Sequence, residues 1–144
     1  MAARLGADGW NVLTAERSTG FDLAGAAECE RAVAQAGRLD ALVVPHGSIV
    51  RRPALELGLD EWRRLPDVDL TALFVLACAA AKRMPDGGAI VLLGSRRSFL
   101  GGVGTAAYAA TKGCVVQLAK SLSSEWAGRG IRVNAVARAG STRR

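Results

Sequence analysis

Apolar and polar positions alternate between two periods along the chain, and the alternation predicts its elements. Trp10-Asn-Val-Leu-Thr-Ala15 has the pattern of a short strand, with a brief helical piece before it. Ala26 to Ala36 (AAECERAVAQA) is built of good helix formers with an apolar face at Ala32, Val33 and Ala36, and Gly37 stops it. Leu39 to Val44 (LDALVV) reads as a buried strand that Pro45 closes. Asp60 is placed to cap a helix from Glu61, which Pro66 must interrupt or kink because proline has no amide donor. Leu70 to Met84 is a second, strongly apolar helix, ended by the turn signal Pro85-Asp-Gly-Gly88. Ala89 to Leu93 (AIVLL) lacks polar alternation, so the expected strand is buried on both faces, as in a parallel sheet. A glycine-rich loop follows, then a long helix from about Ala106 to Ala127, the stop Gly128-Arg-Gly130, and a last strand from Ile131 to Ala137 (IRVNAVA).

Strands and helices that take turns in this way form right-handed crossovers and a Rossmann-like, doubly wound parallel sheet of the α/β class. The 144 residues suit one domain, 1–144, and no repeat, linker or low-complexity tract divides them. Half of the residues are apolar and 22% are charged, which excludes a disordered chain. The longest apolar run, Ala72 to Ala81, is too short to span a bilayer, and the N-terminus lacks the apolar core of a secretory signal, so no membrane partner is expected. Cys29, Cys78 and Cys114 are odd in number and lack metal-ligand spacing; reduced thiols, a cytoplasmic location and no metal are the simplest expectation. The formal charge of +6 is carried almost wholly by arginine, the lysines being Lys82, Lys112 and Lys120. With aromatics at 5% and no basic helix interleaved with them, nucleic acid is not an expected partner.

The most informative residue is Tyr108, the single tyrosine, with Lys112 four positions later in Tyr108-Ala-Ala-Thr-Lys112. On a helix that spacing sets the two side chains on one face, about 5–6 Å apart at Cβ. A cation there favours the phenolate and draws the tyrosine down from its reference near 10. Such a phenol can pass a proton to or from an oxygen undergoing hydride transfer. Alone, the pair is weak evidence, since tyrosine beside lysine recurs by chance on many helices. Ser95, 13 residues before the tyrosine, ends the strand AIVLLGS. There it lies on the edge where open α/β sheets bind ligands, although a serine in that place also serves as a turn or helix cap.

Taken together, these features resemble the short-chain dehydrogenase/reductase family. The segments that carry the likeness are Gly88-Ala-Ile-Val-Leu-Leu-Gly-Ser95, Ala107-Tyr-Ala-Ala-Thr-Lys112 and Gly130-Ile-Arg-Val-Asn-Ala-Val136, and it extends from about Gly9 to Gly140. The resemblance implies an NAD(P)-dependent oxidoreductase that moves hydride between nicotinamide and a small carbonyl or alcohol substrate. It implies Tyr108 as the acid/base, Ser95 as the residue that orients the substrate oxygen, and Lys112 as both the tuner of the tyrosine and a ribose contact. Glu16 matches the position of an acid that binds the adenosine ribose, with Arg17 beside it; the choice between NAD and NADP stays open. Family members commonly pack between subunits through the helices matching 70–84 and 106–127, which implies a homo-oligomer built on Leu73, Leu76, Val115, Leu118 and Leu122.

Several departures from the family's pattern modify these expectations. The first strand with its glycine-rich diphosphate turn, and the last strand with its substrate loop, have no counterpart between Met1 and Arg144, so an incomplete, truncated sheet is expected. Gly102-Val-Gly104-Thr-Ala-Ala107 imitates the missing turn, yet Arg96 to Gly101 separates it from its strand. Val44-Pro45-His46-Gly47 replaces the Asn-Asn-Ala-Gly motif; the cofactor-side glycine Gly47 survives, and His46 becomes a polar group at the cleft edge or a plain loop histidine. Asp69 takes the place of the family's helix asparagine, which helps to hold a proton-relay water. An anion there stabilises the lysine charge while offsetting part of its pull on the tyrosine. Arg138-Ala139 replaces the Pro-Gly after the last strand, and Arg96 and Arg97 stand beside Ser95 as a solvated pair or as a preference for an acidic ligand. Loss of diphosphate contacts, each worth roughly 1.5–3 kcal/mol, predicts poor cofactor affinity. The alternative reading is therefore a catalytically weak or inactive derivative acting through oligomer or partner contacts, or a gene fragment.

Overall fold

In the computed structural model, which describes residues 1–85 and 87–138, three parallel strands form the sheet. They are β1 (Ala41–Val44), β2 (Gly88–Ser95) and β3 (Ile131–Arg138), in that spatial order. Helices α1 (Ala2–Ala7) and α2 (Ala26–Ala34) come before the sheet. The crossover from β1 to β2 carries α3 (Leu59–Pro66) and α4 (Ala72–Ala81), and the crossover from β2 to β3 is α5 (Ala106–Trp126). Parallel neighbours need such connections because a tight hairpin cannot return the chain in the same direction.

The register sorts the side chains. Val44 stands beside Leu92, Ile90 beside Val133, and Leu92 beside Ala135, so these residues share one face. Helices α2, α4 and α5 close over that face: α2 lies on α4, and α5 runs across β2 and β3. The core combines Cys29 and Val33 of α2, Leu73, Leu76 and Ala77 of α4, and Val115, Leu122 and Trp126 of α5 with the strand residues. On the opposite face Val43, Val91 and Leu93 are half-buried, and Arg132, Asn134 and Val136 are exposed. The two-sided burial expected of AIVLL is thus only half realised.

Three further expectations need correction. Trp10 to Ala15 is no strand: the segment has no ladder partner among the described residues, and Trp10 and Leu13 are half exposed. A strand exists only through the neighbour it bonds to, which no local pattern supplies. Helix α3 starts at Leu59 with Gly58 as its N-cap, so Asp60 sits inside the first turn, where its charge still favours the positive helix end. Finally, Leu73, Leu76, Val115 and Leu122 are buried in the protein's own core, with Leu118 packed against it, and are unavailable to a subunit face.

Pro66 ends α3, and the chain widens into a π turn, Asp67–Thr71, before regular α4 begins. The missing proline amide breaks the regular ladder there, and the wider turn absorbs the break. That turn carries Asp69. Among the described residues no helix is long and apolar enough to cross a membrane, no cluster of side chains could hold a metal, and all three cysteines are free. Ala139 lies outside the described residues.

Candidate active site

Strand β2 delivers Ser95 to the carboxyl edge of the sheet. Its hydroxyl oxygen accepts the Arg97 amide at 3.1 Å and so caps the 3-10 turn Arg96–Ser98. Accepting that bond leaves the Ser95 proton free to donate, so the cap orients the hydroxyl without consuming its donor. The Ser95 amide donates to Ser98 Oγ at 3.1 Å, and Ser98 Oγ donates to the Lys112 carbonyl of α5 at 2.6 Å.

Tyr108 lies in the first turn of α5, half-buried, and Lys112 follows one turn later. The helix is entered through Gly102–Thr105, a loop closed upon itself. The Thr105 amide and hydroxyl both donate to the Gly102 carbonyl, at 3.2 and 2.9 Å, and the Arg52 amide donates to the Gly104 carbonyl at 2.9 Å. This loop serves as a helix entry. Arg97 folds over it, its guanidinium donating to the Gly101 carbonyl, while Arg96 is exposed.

Lys112 is turned inward and is 1% exposed. Its Nζ donates to the carbonyls of His46 at 3.2 Å and Leu93 at 3.1 Å, and stands 3.8 Å from Asp69 Oδ2. Asp69 is fully buried. The Ser48 amide donates to both of its oxygens at 2.9 Å, and Ser48 Oγ donates to Oδ1 at 3.2 Å. His46 Nε2 is 3.1 Å from the Val68 carbonyl and 3.9 Å from Asp69 Oδ1, which ties the loop after β1 to the π turn. Burial lowers the Lys112 pKa from its ordinary value, and the Asp69 carboxylate draws it partly back. An ammonium this deep requires such a partner.

Gly47 acquires its reason here. A Cβ at that position would stand 2.6 Å from Lys112 Nζ. The structure therefore gathers Lys112, Asp69, Gly47 and His46 into one nest and ties Ser95 to α5 through Ser98. Glu16 is apart from them: it is exposed at the head of the turn Arg17–Thr19, and among the described residues it shares no hydrogen bond or ion pair with the others. Ser48 and Ser98 were missed from sequence. Ser98 had a local signal, a hydroxyl three positions after another, the spacing of a reciprocal cap; Ser48 had none beyond adjacency to Gly47.

The profile of the short chain dehydrogenase family matches residues 1–142. D-threitol dehydrogenase of Mycolicibacterium smegmatis is 37% identical over 142 residues, covering 94% of this chain and 53% of that protein. A 2-dehydro-3-deoxy-D-gluconate 5-dehydrogenase of Pseudoalteromonas atlantica is 42% identical over 102 residues, 69% of this chain and 40% of its own length. The crystal structure of BdcA in complex with NADPH is similar at a TM-score of 0.75 and 36% identity, over 81% of this chain and 48% of that one. The chain spans about half the length of these relatives. With the profile matched along nearly all of its residues, the chain belongs to the short-chain dehydrogenase family.

Proposed function

We propose that this protein is an NAD(P)-dependent oxidoreductase acting on a small, hydroxyl-rich alcohol or the matching carbonyl compound. The observation that carries the reading is Ser95: a hydroxyl at the carboxyl edge of β2, with its proton unspent, tied to the helix that bears Tyr108 and Lys112. The relatives named for a tetritol and for a sugar acid favour a polyhydroxylated substrate.

The donor set fits the reactive end of a nicotinamide cofactor, and the exposed Glu16 carboxylate is an acceptor suited to ribose hydroxyls. The Gly102–Thr105 loop lacks the form of a diphosphate turn, because residues 96–101 separate it from the end of β2 and its Thr105 amide is spent on the Gly102 carbonyl. When bound, the cofactor supplies or takes up hydride at the reacting carbon. Ser95 donates to the substrate oxygen and fixes its direction. As an alcohol is oxidised, Tyr108 takes the hydroxyl proton while the oxygen becomes a carbonyl; in reduction it returns that proton. Lys112 contributes positive charge from beneath the helix.

A second reading, a family derivative without catalysis, draws support from the inward Lys112 ammonium, whose described hydrogen bonds go to backbone carbonyls rather than outward. One experiment separates the two: titration with NADH and NADPH followed by nicotinamide fluorescence, then oxidation of D-threitol and of 2-dehydro-3-deoxy-D-gluconate with NAD⁺ or NADP⁺ as hydride acceptor. Saturable binding, with turnover that Tyr108→Phe lowers about 100-fold or more, upholds the enzyme. No binding at millimolar cofactor upholds the second reading.

A further inference from the structure

We propose that Ser98 is a positioning residue that bolts the end of β2 to α5 and so sets the distance between Ser95 and the Tyr108–Lys112 helix. This inference rests on the dehydrogenase reading of the site. One hydroxyl makes both halves of the link. It accepts the Ser95 amide at 3.1 Å and donates to the Lys112 carbonyl at 2.6 Å. The two backbone groups it joins belong to the residue expected to hold the substrate oxygen and to the residue expected to charge the tyrosine. The surroundings leave it room: a Cβ on Gly94 would come within 3.4 Å of Ser98 Oγ, and one on Gly113 within 3.7 Å of the Ser98 carbonyl. A helical carbonyl already in the i to i+4 ladder has a second lone pair, so the bond costs the helix nothing. Proton transfer depends steeply on placement, and displacement of a reacting group by about 1 Å can cost about 100-fold in rate.

The test uses Ser98→Ala and Ser98→Thr in the full chain, with amide hydrogen exchange and steady-state kinetics on each. Ser98→Ala should speed exchange at the Ser95 amide, and should lower kcat about 10- to 100-fold while KM stays within about threefold. Ser98→Thr, which keeps the hydroxyl, should restore both. In a Ser95→Ala background the Ser98→Ala loss should vanish, because the bolt acts through Ser95; a merely structural role would keep its full effect there. Unchanged exchange at Ser95, or an undiminished loss in that background, overturns the proposal. If the unaltered protein binds no cofactor and turns over nothing, the dehydrogenase reading fails instead, and with it the catalytic meaning of the bolt, even where the exchange result shows the link itself.

Discussion

Gly47 and Lys112 are fitted to each other: the glycine has no side chain where the buried ammonium lies, and a Cβ there would stand 2.6 Å from Nζ and 3.1 Å from Cε. The lysine end is flexible in principle, but its nest is closed by the His46 and Leu93 carbonyls and by Asp69. Gly47→Ala must therefore expel Nζ from both carbonyls. Overpacking of this kind costs about 1–3 kcal/mol. Urea unfolding should show that loss when Gly47→Ala is made in the natural protein, and a much smaller one when it is made in Lys112→Met and measured against Lys112→Met alone, whose shorter uncharged end leaves room. Equal losses in the two proteins would mean that the glycine is needed for something other than the lysine.

Asp69 is the counter-charge of that ammonium, and the pair should behave as a unit. Removing one member of a buried ion pair costs about 3–5 kcal/mol, whereas replacing both by uncharged groups is often close to neutral. Asp69→Asn should be strongly destabilising, and Asp69→Asn with Lys112→Met should recover most of the loss. The non-additivity is read from a double-mutant cycle in urea. Simple additivity would show that the 3.8 Å separation carries no coupling.

The same burial makes stability depend on pH in a defined direction. The Lys112 pKa is lowered in the fold, first by burial, against an ordinary value of 10.5. Between the folded and unfolded values the unfolded chain binds the extra proton, so stability rises with pH through that window and is lost as pH falls through the folded value. Relative to Lys112→Met, the natural protein should gain stability as pH climbs towards 10.5. In Asp69→Asn, where the carboxylate no longer opposes burial, the gain should begin at lower pH. Because the chain has three lysines, side-chain NMR can follow the Lys112 ammonium directly and check the assignment.

Much of this molecule is legible in its sequence, and the limits of that legibility are physical. The apolar runs and glycine stops mark β1, β2, β3, α2 and α5 to within a few residues, because a helix or a buried strand is written in its own side chains. Trp10 to Ala15 has an equally good strand pattern and fails as one, since pairing depends on a neighbour elsewhere in the chain. Pro66 announces a break, yet the π turn that results, and the burial of Asp69 within it, depend on what packs there. The spacing of Ser95, Tyr108 and Lys112 is visible at once. The inward aim of Lys112 is not, because its acceptors are backbone carbonyls of His46 and Leu93, and any residue type has a carbonyl. For the same reason the two helices' apolar residues could be counted but not apportioned between core and surface.

A last prediction concerns the start of the sheet, where β2 and β3 come together at Gly88 and Ile131. Two glycines with positive φ meet just before this pairing, Gly87 at +91° and Gly130 at +68°, and the Gly88 amide donates to the Gly130 carbonyl at 3.2 Å. A Cβ on Gly87 would lie 2.8 Å from that carbonyl oxygen, which is backbone and cannot turn aside. A Cβ on Gly130 would meet its nearest atom, the Gly87 Cα, at 3.5 Å, an ordinary contact. Both alanine variants pay for the left-handed backbone, about 1 kcal/mol in each case. Only Gly87→Ala adds a collision that the strand start must absorb, so it should lose more stability than Gly130→Ala. Gly130→Asn should fall closest to the natural protein, because asparagine visits left-handed geometry readily. Urea midpoints for the three variants order them; a Gly130→Ala loss as large as that of Gly87→Ala would show that backbone conformation alone, and not the close approach of the two chains, governs this corner.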